Sequence, residues 1–117
     1  MRPHEAWVEH WRVGHAPSLE TSASRELLGI FNAFWHAEAV DAKSKTTRNR
    51  YAGALHALGG YLIEKAVVDY ETVKPITELL REAVEGGEGP LIHLDNEVWQ
   101  RELDAVCKKL DRFIRTV

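Results

Sequence analysis

Residues 96–117 read NEVWQRELDAVCKKLDRFIRTV, and the apolar positions Trp99, Leu103, Val106, Leu110, Phe113 and Val117 recur at steps of four, three, four, three and four. This spacing holds large side chains on one side of a 3.6-residue turn, with Cys107 and Ile114 widening the face. It predicts an amphipathic helix capped by Asp95 or Asn96. Trp99, Leu103 and a buried Cys107 are expected in its core stripe. A homodimer seam of about three heptads is the alternative use of the same stripe.

Working upstream, the same period recurs. Gly86-Gly87-Glu88-Gly89-Pro90 ends a shorter helix that Pro75 opens and that Ile76, Leu79, Leu80, Ala83 and Val84 stripe. A long helix is predicted from Ser44 to about Val68 on Tyr51, Leu55, Leu58 and Leu62. Gly53, Gly59 and Gly60 each weaken that helix by up to about 1 kcal/mol relative to Ala. They therefore imply close helix–helix approach, or a kink at Gly59-Gly60. Residues 24–39 form another helix on Leu27, Leu28, Phe31, Phe34 and Trp35. His15 to Ser24, with Pro17 and several hydroxyl residues, reads as a connector. Ahead of it, residues 3–13 form a short helix that Gly14 ends.

Nothing alternates with the period of two that a half-buried strand requires. The predicted class is all-α: a compact bundle of four main helices plus a short N-terminal helix, one domain over residues 1–117. Residues 1–23 are its arm and connector, and residues 24–117 its body. The 117-residue chain is 44% hydrophobic and 28% charged, with a net charge of -3, which excludes disordered and collagenous classes. The single cysteine forms no internal disulfide, which points to a reducing compartment. No apolar run approaches the ~20 residues of a membrane span, and the N-terminus lacks the apolar core of a secretory signal. A cytoplasmic protein with no membrane partner is expected.

The catalytic signatures are missing from the pattern. His4, His10, His15, His36, His56 and His93 are scattered, and neither HExxH nor paired Glu-x-x-His motifs occur. Cys107 lies inside an amphipathic helix rather than at an electropositive helix start. No Walker loop or G-x-G-x-x-G fingerprint is present. The chain is expected to be no enzyme, with no catalytic residue, metal or cofactor. The catalytic alternative, ranked third, would need His36, Glu38, His56 and Glu64 to converge.

Charge is unevenly distributed. KSKTTRNR at residues 43–50 carries four cations and no anion, whereas residues 78–97 hold six carboxylates and one arginine. The basic segment opens the long helix, where free N–H groups and the dipole favour an anion. Lys43, Lys45, Thr47, Arg48 and Arg50 are thus candidate phosphate contacts, and Ser44 and Thr46 add hydroxyls. Lys108, Lys109, Arg112 and Arg115 extend this footprint if the two helices meet. A solvated helix start is the plainer reading, because the net negative charge repels a polyanion. In the arm, Trp7 and Trp11 share a face. They are candidate partner contacts, or else they fold back onto the bundle.

The residues Ser44, Thr47, Tyr51, Leu55, Leu58, Tyr61 and Leu62 resemble the Ser-x-x-Thr…Tyr…Leu pattern of the helical core-binding domain of phage-integrase-like tyrosine recombinases. The resemblance spans about residues 27–117. It implies a four- or five-helix domain that grips DNA through basic residues near helix ends, here Lys43, Lys45, Arg48 and Arg50. The Arg, His and Tyr constellation of the recombinase catalytic domain is absent, so strand exchange is not expected. The preferred expectation is a non-catalytic binding or adaptor protein working through protein contacts, self-association among them. The alternative is a nucleic-acid-binding module.

Overall fold

A computed structural model describes residues 2–68 and 74–116, and the secondary structure of those residues is helical throughout. The elements are α1 (Ala6–His10), α2 (Pro17–Ala37), α3 (Lys45–Val68), α4 (Ile76–Val84) and α5 (Glu97–Arg115), with 3₁₀ turns at Val40–Ala42 and Glu85–Gly87. The Cα radius of gyration is 13.5 Å, close to the roughly 13 Å of a compact chain of this length. No helix among the described residues is long and apolar enough to cross a membrane.

The apolar stripes meet in one core. Leu27, Phe31 and Phe34 of α2, Leu55, Leu58 and Leu62 of α3, Leu80 and Val84 of α4, and Leu103 and Leu110 of α5 are all buried. Tyr51 ties three helices together. Its ring stacks on Phe34, and its hydroxyl accepts from Lys109 Nζ at 2.9 Å while facing Glu38 Oε1 at 3.3 Å. Cys107 is buried, and burial first and Asp104 second push its thiol up to about 12.

Helix α2 starts at Pro17, not at Ser24, so residues 17–24 are helix rather than connector. Pro17 suits a first helical turn, and the local signal of Ser and Thr residues is overridden by Glu20. The Glu20 carboxylate is buried and accepts the backbone N–H groups of Val13, Gly14 and Ala16 at 2.6, 3.0 and 2.7 Å. These bonds fasten the end of the arm to the first turn of α2. Ser24 consequently falls inside the helix, where its buried hydroxyl has no hydrogen-bond partner among the described residues. Ser24→Ala should therefore raise stability by up to about 1 kcal/mol in urea unfolding, because it removes an unsatisfied polar atom at nearly constant shape.

The glycines of α3 have a different use from the one their sequence implied. A Cβ at Gly53 would meet nothing within 4 Å, whereas one at Gly59 would overlap the Trp11 indole. Helix α3 runs unbroken through Gly59-Gly60, and the close approach is made by the arm. Glycine closes the other end of the bundle too: Gly86 and Gly87 take φ of +86° and +81° between α4 and α5, a conformation other residues rarely adopt.

Helix α5 is capped by Asn96, whose side chain accepts from Trp99 N at 3.0 Å. Leu103 is fully buried as the stripe predicts, but Trp99 is 58% exposed. Its position in the first turn carries the indole past the end of the core, where it packs edge-on against His93 with centroids 5.6 Å apart. Trp99→Ala should change unfolding free energy by no more than about 0.5 kcal/mol, as for other surface positions. Val117, the last stripe position, lies outside the described residues.

Candidate functional site

The sequence-designated residues separate into two regions. In the arm, Trp7 and Trp11 are 5% and 3% exposed. Trp11 donates from Nε1 to the His56 carbonyl at 2.9 Å and meets Phe31 edge-on, while Trp7 packs edge-on against His56. His10 Nδ1 lies 3.1 Å from His56 Nε2. The indoles are core of their own chain: the arm folds back onto the bundle, the alternative the sequence offered, and Trp7 and Trp11 are covered while it is docked. The apolar area they bury against α2 and α3 explains the docking.

The basic segment forms the start of α3. Ser44 accepts from Thr47 N at 3.2 Å and lies 3.0 Å from the Thr47 hydroxyl, a side-chain cap for the helix. Arg48 donates to the Lys43 carbonyl at 2.8 Å. Arg50 pairs with Glu102 at 3.3 Å, and the Lys43 ammonium stands 6.0 Å from the Tyr51 ring centroid. Lys45 is exposed, with no ion pair among the described residues. Three of the four predicted phosphate-contacting cations thus have contacts within the protein, Arg48 and Arg50 through hydrogen bonds or an ion pair and Lys43 over the Tyr51 ring.

Helices α3 and α5 do meet, and the seam between them holds a cavity of about 440 Å³ lined by Thr47, Arg50, Tyr51, Val98, Arg101, Glu102, Ala105, Val106 and Lys109. Of the segment read from sequence, Thr47 and Arg50 reach it. Lys43, Lys45 and Arg48 do not line it. Arg101 and Lys109 come from α5. The sequence reading let Lys109 extend the basic footprint if the two helices met, but nothing local reveals its bond to Tyr51, 58 positions away.

Beside this cavity runs a surface that sequence reasoning left unassigned. Leu91, Leu94, Val98 and Trp99 are 76, 80, 58 and 58% exposed. The loop carrying the first two is held rigidly: Gln100 Oε1 accepts Ile92 N and His93 N, and its Nε2 donates to the Pro90 carbonyl and to Asp104. Asp104 also accepts Gly89 N at 2.9 Å. Four large apolar side chains within nine residues stand exposed, Leu91 and Leu94 on the loop braced by Gln100 and Val98 and Trp99 on the first turn of α5, and together they make up an apolar ridge. The signal available in sequence was the apolar run Leu91-Ile92-His93-Leu94, whose Leu91 and Leu94 face out while Ile92 is half-buried.

The catalytic alternative is not assembled. Glu38 faces Tyr51, His56 faces the arm, and His36 and Glu64 are exposed. Among the described residues no group of three or more His, Cys, Asp or Glu side chains is arranged to hold a metal. In comparisons with known proteins, no family model, curated protein or solved structure matches the chain.

Proposed function

We propose that the chain is a non-catalytic binding protein that acts through protein contacts, with the ridge of Leu91, Leu94, Val98 and Trp99 as its working surface and a second copy of itself as partner. The observation that carries this reading is the exposure of those four side chains on a braced backbone. Tryptophan is enriched among residues that dominate interface energy. The exposed Asp95, Glu97 and Arg101 flank Val98 and Trp99 along the chain with both signs of charge, so a two-fold copy can set acids opposite bases. Sedimentation velocity from micromolar to millimolar chain should show a concentration-dependent dimer. Leu94→Glu with Trp99→Glu should hold the chain monomeric with unchanged helicity. A wild-type monomer throughout that range overturns the proposal.

A nucleic-acid-binding role is the second reading, supported by the approach of Arg101 and Lys109 to the Lys43–Arg50 segment and by the resemblance to recombinase core-binding domains. On this reading, replacing Lys45, Arg48 and Arg50 with Ala weakens duplex binding across all sequences and flattens its salt dependence, as measured by fluorescence anisotropy. Absence of duplex binding at low salt removes it.

A further inference from the structure

We propose that the α3–α5 cavity is a binding site for a small organic anion with a flat apolar body and one acidic head, a class to which aryl carboxylates and aryl phosphates both belong. The site adjoins the ridge, with Val98 in both and Arg101 at the ridge's rim, so the titration is run at a chain concentration where the protein is monomeric and its outcome is read apart from self-association. Its volume of about 440 Å³ lies within the range of small-molecule pockets, which combine apolar walls with a few convergent polar groups. Val98, Ala105, Val106 and the Tyr51 ring supply the apolar wall. Arg50, Arg101 and Lys109 supply three cations against the single carboxylate of Glu102. In a chain whose net charge is -3, that local excess of positive charge marks a place where an anion is preferred over a neutral ligand.

The donors keep unused capacity. Lys109 gives one N–H to the Tyr51 hydroxyl at 2.9 Å, and an ammonium has three to give. Arg101 has no ion-pair or hydrogen-bond partner among the described residues, and its planar fork suits a carboxylate or phosphate. Arg50 engages Glu102 through Nε. Tyr51 anchors Lys109 from below and is itself buried, so the ammonium is positioned before any ligand arrives.

The test titrates isotopically labelled protein with 2-naphthoate, phenyl phosphate, inorganic phosphate and the neutral 2-naphthalenemethanol, following amide shifts by NMR. One of the two aryl anions should move Thr47, Arg50, Ala105 and Lys109, and the tighter of them identifies the acidic head. The alcohol and inorganic phosphate should each bind at least about tenfold more weakly, a difference of 1.4 kcal/mol. Arg101→Met, at an exposed position, should weaken the preferred anion by about fivefold or more while leaving the thermal midpoint close to wild type, and Lys109→Met, which also gives up the bond to Tyr51, should weaken it at least as much. Equal binding of acid and alcohol overturns the proposal. So do undiminished affinity in both variants and unmoved cavity amides at millimolar aryl anion.

Discussion

Gly59→Ala should displace the N-terminal arm and lower the unfolding free energy by about 3 kcal/mol, a loss comparable to truncating a buried tryptophan. An added Cβ at this position overlaps the Trp11 ring. The ring is rigid and fixed by its bond to the His56 carbonyl, so it has little room to yield. Helix α3 packs against α2, α4 and α5, so the arm is the part that moves. Losing it exposes Trp7, Val8 and Trp11 together. Alanine in place of glycine also favours the helix by up to about 1 kcal/mol, which opposes the loss without cancelling it. Urea unfolding monitored by tryptophan fluorescence reads both effects. In a Trp11→Ala background the sign should reverse, with Gly59→Ala neutral or stabilising, a non-additivity that locates the contact. Equal stability of Gly59→Ala and wild type in the presence of Trp11 would show that the indole is not seated on Gly59.

This contact also marks where local sequence stops being informative. The stripes on α2, α3, α4 and α5 were legible because each needs only its own 3.6-residue period, and their apolar faces meet as the pattern requires. Gly59 announced a close approach, but the partner was an indole 48 positions upstream, and no period links them. Trp99 obeyed the α5 stripe yet lies outside the core, because a period fixes the face of a helix but not how far the core extends along it. The same limit hid the cavity. Its cations come from the start of α3 and the middle of α5, and only the packing of those helices brings Arg50, Arg101 and Lys109 to one wall. The ridge was half legible: the run Leu91–Leu94 was visible, whereas the decision about which side chains face out belongs to Gln100, whose side chain clamps the loop backbone.

Glu20 is the residue whose removal should reshape the acid limb of the stability curve. Its carboxylate is held at about 2, below its ordinary 4.5, by the N–H of Ala16 above all and then by those of Gly14, Val13 and His15, against a burial penalty that pushes the other way. A carboxyl whose folded value lies below its unfolded one binds more protons when unfolded, so its stabilisation is complete above about pH 5 and disappears as the pH falls toward about 2. His56 acts in the same direction. Burial chiefly, and then His10 and His4, hold it below its ordinary 6.5, so its protonation also works against the folded state as the pH falls. Glu20→Ala orphans the three N–H groups of Val13, Gly14 and Ala16 and should lower stability by about 3 kcal/mol near neutral pH. Glu20→Gln keeps the shape and one acceptor oxygen but no charge. It should lose less at neutral pH, and between about pH 5 and about pH 2 its urea midpoint should fall distinctly less than that of the wild type. A Gln variant whose midpoint follows the wild-type acid limb step for step would assign that limb to other carboxyls and leave Glu20 a neutral spacer between arm and helix.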